Sequence, residues 1–316
     1  MTTTLGDDGG GAAPSPSTGM RVRRETQRPD GRSISWTQIV QALTCGKRLE
    51  FYTQRLPQKD IGIGLIYGRA IHAALATYQK GYAKTPEAAT AAAIRALDAE
   101  LAGTRLPVRW DEPWEVTQAG LVSTAAKNYG RLPSREACAG WLRHQVPLYL
   151  RAFPARDVLR SEHRIFVPLT PPRGVEWSSP WSLECWIDLE LTADRVRDLK
   201  STDDAWKPQD ARKAEGQALV YMGAYYHFYR REPRHFEFHV LPRLCEAAEL
   251  EYGPAPRVDV HRVEWDAARV QAFIDDVVKP IVTMRDRGIY PANPGSSLCT
   301  QKYCGFWDHC RFGGKA

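Results

Sequence analysis

Three cysteines close the chain in the pattern Cys299-x4-Cys304-x5-Cys310, and a fourth, Cys45, stands 254 positions before the first of them. Zinc knuckles and ribbons gather their ligands locally. One early cysteine with three clustered late ones instead implies a metal group that staples the two ends of the chain together. That demand constrains the fold strongly, because everything between the clasps must form a body whose ends meet. Four thiolates suit zinc as well as an iron–sulfur cluster, and His309, beside Cys310, offers a substitute ligand. Cys138, Cys185 and Cys245 read as small buried residues.

The seven cysteines do not form a spaced disulfide framework, and Met1 to Thr18 is Gly, Pro, Ser and Thr without an apolar core. No signal peptide is expected, and no run approaches the ~20 apolar residues of a membrane span. A reducing, cytoplasmic setting follows, where clustered cysteines bind metal more often than each other. Apolar residues at 43 % and charged residues at 25 % suit a soluble chain with a buried core. The formal charge of +6 is compatible with a polyanion partner without identifying one.

Residues 1–32 read as a disordered leader, low in complexity and then basic. A helical region, 33–157, carries Cys45 and His72. Ser35 is expected to cap a helix running through Ile39, Val40, Leu43 and Leu49, with Cys45 in or near its end. Gly62 and Gly64 mark a loop, Tyr67 to Tyr78 a helix with His72, and 86–102, 114–129 and 134–152 further helices. A sheet-bearing core spans 158–262. Strands are expected at 159–168, at 182–191 with Leu183, Cys185, Ile187, Leu189 and Leu191 on one face, and at 195–200 after a tight turn at Ala193-Asp194. A helix at 211–229, a strand at 235–242 and a partner at 248–253 follow. Residues 263–316 supply a final amphipathic helix (264–287) and the cysteine triplet. The order implies an α/β chain with a mixed central sheet flanked by helices, 33–316 forming one compact unit.

Asp188 and Asp198 fall near the ends of neighbouring antiparallel strands, close enough to share a hard cation. Lys200, two residues after Asp198, points to the same face. Two acids and a lysine on one face suit phosphodiester hydrolysis, the acids holding magnesium or manganese and the ammonium orienting water or offsetting phosphate charge. An isolated D-x-K is more often an exposed strand pair. The companions change that balance. Gln217 and Tyr221 share a helix face at i, i+4, and His72 offers an imidazole. Glu162 reads equally well as a further acid or as an exposed strand glutamate.

The order Gly-x-x-x-His72, Asp188, Asp198-x-Lys200, Gln217-x-x-x-Tyr221, bracketed by one early and three late cysteines, resembles the PD-(D/E)XK nuclease superfamily. More narrowly it is similar to RecB-type iron–sulfur exonucleases, including CRISPR-associated adaptation nucleases and phage relatives. The resemblance spans Trp36 to Cys310. It implies a restriction-endonuclease-like core, a metal site of His72, Asp188, Asp198 and Lys200, and substrate contact or bracing by Gln217 and Tyr221. It also implies a [4Fe–4S] cluster on Cys45, Cys299, Cys304 and Cys310. Two departures stand out: Cys185 occupies a place often held by glycine, and four residues separate the first two late cysteines where many relatives have two.

The expected function is therefore a metal-dependent DNA exonuclease acting on single-stranded ends, in recombination, repair or CRISPR-adaptation-like processing with partner proteins of such assemblies. Arg48, Arg69, Lys207, Arg212 and Lys213 are candidates for phosphate contacts. The alternatives are a non-cleaving DNA-binding or adaptor protein on the same scaffold, and a zinc-stapled structural protein. Tyr303, Phe306 and Trp307 could shield the cysteines or stack on bases.

Overall fold

The computed structural model describes residues 31–110, 134–153, 155–202, 206–242, 258–301 and 303–313. A first strand, β1 (Arg32–Ser35), leads into α1 (Trp36–Thr44) and α2 (Gly46–Thr53). Ser35 and Gln38 close a capping box at the start of α1, worth about 1 kcal/mol. Cys45 is the extended residue between the two helices. After the short β2 (Ile61–Gly62) come α3 (Ile63–Gln79), α4 (Pro86–Gly103), β3 (Val108–Arg109) and α5 (Arg135–Ala152). Gly64 thus lies inside α3 rather than in a loop. The helix expected at 114–129 lies outside the described residues.

The sheet is built from β4 (Val158–Leu169), β5 (Trp181–Leu191), β6 (Arg195–Thr202), β7 (His235–Pro242) and β8 (Asp259–Glu264), with α6 (Pro208–Tyr229) crossing between β6 and β7. That crossover makes β6 and β7 parallel, whereas β4–β5, β5–β6 and β7–β8 are antiparallel. Strand β4 occupies one edge of β5 throughout. The other edge is divided: β1 pairs in parallel with Trp181–Glu184, and β6 pairs with Leu189–Leu191. The sheet therefore forks beside Asp188. The β5–β6 pairing ends at Leu189 opposite Arg197, and Asp188 and Asp198 stand one residue beyond it on their strands.

The expected strand at 248–253 lies outside the described residues, and the described partner of β7 is β8. Strand β8 runs through Glu264, so the boundary drawn at 262/263 falls inside it, and the final helix begins only after the Asp266 cap. That helix is α7 (Ala267–Phe273), a π-helical segment (Ile274–Val278) and α8 (Lys279–Asp286).

Two apolar cores sandwich the sheet. One joins β1, α1 and the inner faces of β5 and β7 to α6 and the C-terminal helices. The other joins α3, α4 and α5 to Leu189, Leu191, Leu199 and Leu241. The expected single face of β5 is thus split: Leu183, Cys185 and Ile187 lie in the first core, Leu189 and Leu191 in the second. Alternation slips by one at Asp188. Its carboxylate faces His72 of α3, while Glu190, two residues on, accepts a bond from Tyr229 of α6 on the opposite side. Opposite the slip on β4, Glu162 has a φ of 53°, a conformation disfavoured for a side-chain-bearing residue outside turns.

Candidate metal centre

The slip and the positive φ converge on one spot. His72, Glu162 and Asp188 each bring a ligand atom there, all within 4.8 Å of one another. The His72 Nδ1 lies 3.5 Å from Glu162 Oε1 and 3.6 Å from Asp188 Oδ2. Its Nε2 is 3.2 Å from the Leu199 carbonyl, which can only accept, so Nε2 carries the proton and Nδ1 is left for a ligand or proton. This is the arrangement typical of a metal-binding histidine, one nitrogen tied to a backbone carbonyl and the other aimed into the site. The Asp188 Oδ2 accepts from the Leu199 N–H at 2.8 Å, so the backbone of β6 orients both side chains.

Burial raises the Asp188 pKa, helped by Asp198 and opposed by His72. Burial works to lower that of His72, but Asp188, Glu162 and Asp198 outweigh it and raise it. The acids thus repel one another and await a cation; without a metal, the proton on His72 fills that role.

Asp198 stands beside this group rather than in it. Its Oδ1 accepts from Gln217 Nε2 at 2.7 Å. Lys200 Nζ is 2.7 Å from Oδ2, in ion-pair contact but outside hydrogen-bond geometry. Oδ2 is therefore a buried carboxylate oxygen with no hydrogen-bond partner, on a residue only 3 % exposed. Its one close neighbour is the Lys200 ammonium, which leaves lone pairs on this buried oxygen open to a second cation. Three ligands within reach, an orphaned oxygen next to them and an all-oxygen-plus-imidazole donor set fit a hard divalent ion such as magnesium or manganese.

The profile of the PD-(D/E)XK nuclease superfamily matches residues 33–311. The chain belongs to that superfamily. Among solved structures, the "putative exonuclease" of Eubacterium rectale aligns over 85 % of this chain and 87 % of its own, with 11 % identity and a TM-score of 0.47. The structure of SSO0001 aligns over 88 % of this chain and 95 % of its own, with 10 % identity and a TM-score of 0.31. Both likenesses are remote. No curated protein matches the chain.

Within this PD-(D/E)XK chain the expected residues take distinct places. His72 and Asp188 meet, Asp198 and Lys200 pair at their side, and Gln217 braces Asp198. Tyr221, one turn after Gln217, is buried, and burial holds its hydroxyl protonated well above the usual range. Glu162 is the residue that sequence reading left undecided; its left-handed backbone, which alternation cannot register, turns it inward. Cys185 packs under α6, its Sγ 4.0 Å from the Val220 carbonyl, so the departure from glycine is filled by core packing. Of the basic candidates, Arg69 pairs with Glu100 beside the groove that reaches His72, Lys213 pairs with Asp210, Arg212 is exposed, and Arg48 lines the cysteine cavity. Lys207 caps α6. Among the described residues, no helix is long and apolar enough to cross a membrane.

The four clasp cysteines line one small cavity with Lys47, Arg48 and Phe51. Burial first, then the neighbouring Cys304, Cys45 and Cys310, push the Cys299 thiol up. Hydrogen bonds and ring contacts also tie the tail to α1 and α2. Asn293 donates to Cys45 Sγ (3.3 Å) and to the Thr44 carbonyl (3.2 Å), and Phe306 packs on Phe51. His309 is 2.9 Å from the Pro57 carbonyl through Nε2 and stacks near Phe51, occupied away from the thiols by that contact. A Cβ at Gly46 would meet Pro291 at 2.5 Å, so only glycine allows the tail to approach this closely.

Proposed function

We propose that this chain is a divalent-metal-dependent deoxyribonuclease, an exonuclease of the RecB type that hydrolyses phosphodiester bonds at single-stranded DNA ends. The observation that carries the reading is the convergence of His72, Glu162 and Asp188 on one spot, with the Asp198–Lys200 ion pair beside them. A core built only for stability has no use for that cluster of acids. In this reading His72, Glu162, Asp188 and Asp198 hold magnesium or manganese. The ion, when bound, supplies a Lewis acid and a water of lowered pKa. Gln217 fixes the Asp198 rotamer, and Lys200, partly exposed, offers its ammonium to the attacking water or the scissile phosphate. Tyr221 lines the adjoining cleft as an uncharged hydroxyl.

The clasp is read as a [4Fe–4S] site on Cys45, Cys299, Cys304 and Cys310. A single zinc ion at ~2.3 Å from each sulfur would draw the thiolates together more tightly. The order of motifs supports the cluster over zinc, and the four thiols share one cavity with Arg48. The setting proposed, cytoplasmic recombination, repair or CRISPR-adaptation-like processing, is supported by the order of motifs alone.

The test is digestion of end-labelled single-stranded and duplex DNA with manganese and with chelator. Stepwise shortening of the single strand, abolished by chelation, is expected. Binding without cleavage under every metal condition would favour the adaptor reading instead.

A further inference from the structure

Strand β5 is covered along nearly its whole length. Of its eleven residues only Trp186 is exposed, at 45 %. An indole open to solvent in the middle of a central strand needs a reason. Its position supplies one: Trp186 lies two residues before Asp188 and on the same face, because the slip in alternation begins only after Asp188. At 3.2–3.4 Å per residue this sets it roughly 7 Å along the strand from the acid.

The indole is also held in place. Its Nε1–H donates to Glu184 Oε1 at 3.1 Å. Glu184 also accepts from Arg164 (Nη2 at 2.6 Å) and from Ser33 Oγ (2.8 Å). The Arg164 guanidinium is sandwiched, 5.0 Å from the Trp186 ring centroid and 4.5 Å from that of Phe166. A stack of Phe166, Arg164 and Trp186 thus ends at an open ring. It opens into a cleft of about 820 Å³ that also reaches Tyr221. Four arginines line that cleft (Arg32, Arg55, Arg164 and Arg285) against one carboxylate, Glu184, which is already bonded on both oxygens.

We propose that Trp186 is the base-stacking platform of a single-strand nucleic-acid track that runs through this cleft to the metal centre. A paired base keeps both faces in the duplex stack, whereas an unpaired base can lie on an indole, so Trp186 selects unpaired strands. The arginines supply the phosphate attraction. The proposal rests on the nuclease reading for the destination of the track, but its binding test does not need cleavage.

Fluorescence anisotropy of a labelled short oligothymidylate in chelator measures binding by the wild type and by Trp186→Ala, Trp186→Leu and Trp186→Phe. Alanine and leucine are expected to weaken binding by roughly tenfold, the usual effect of losing one stacked base, and phenylalanine to retain most of it. A strand of the same length bearing abasic nucleotides should bind the wild type more weakly yet lose nothing further in Trp186→Ala. Unchanged binding in both Trp186→Ala and Trp186→Leu, or a full abasic penalty surviving in them, overturns the platform. Trp186-dependent binding with no cleavage in manganese leaves the platform standing and sinks the nuclease reading. Cleavage by a wild type whose binding ignores Trp186 does the reverse.

Discussion

At the residue scale the proposed chemistry turns on the surroundings of Asp198. Gln217 occupies Oδ1, Lys200 approaches Oδ2 without bonding it, and no other described residue fills the remaining lone pairs. Glu162 is the least expected member of the site. Glu162→Gln keeps its size and backbone conformation while removing the charge, so folding stability should hold. Manganese affinity by calorimetry should fall by at least ~10-fold; unchanged affinity would remove Glu162 from the site. His72, Asp188, Asp198, Lys200 and Gln217 are legible in the sequence through a motif order that resembles the superfamily's, with strand period putting Asp198 and Lys200 on one face and helix period doing so for Gln217 and Tyr221. Glu162 is not, since its placement depends on one positive φ and a slip opposite it, and neither leaves a compositional trace.

At the element scale the parallel pair β6–β7 carries a buried charge network. Arg197 donates to Glu237 through Nε and Nη2, at 3.1 and 2.9 Å, and His235 and His239 contact the same carboxylate. Burial works against ionising Glu237, but the bonds from His239, Arg197 and His235 hold it well below the usual carboxylate range. Burial lowers His239 to about 4, against the pull of Glu237. The fold therefore keeps His239 neutral, while the unfolded chain takes up a proton below its ordinary value of about 6.5. Stability from this residue is full above pH 6.5 and is lost as pH falls towards 4. Urea midpoints across that window should decline less steeply in His239→Gln than in the wild type; equal slopes would contradict this. The mixed sheet and its helices follow from hydrophobic period and turn residues, down to the left-handed Ala193-Asp194 corner. The parallel β1 is missed, because four residues before a capping box carry too short a pattern to distinguish a strand from a cap.

At the scale of the whole molecule, chain ends 254 positions apart meet through Cys45 and the late cysteines. The Asn293 side chain on the Thr44 carbonyl and the Phe51–Phe306 contact already join them, so a bound cluster would add to a seam that exists without it. Cys45→Ser should lower the anaerobic melting temperature and bleach the visible absorption, with iron and zinc content measured on the same samples. A colourless, zinc-loaded wild type would replace the cluster with zinc. Strand β1, paired with β5, and α1 line the same cleft as Trp186 and Tyr221.

In the proposed reaction Asp198 and Lys200 carry out phosphodiester hydrolysis. The rate of manganese-dependent cleavage of single-stranded DNA by Asp198→Asn and by Lys200→Ala, at unchanged circular dichroism and cluster absorption, tests it directly. A loss of at least ~100-fold in each is predicted; wild-type rates in either variant would contradict the account.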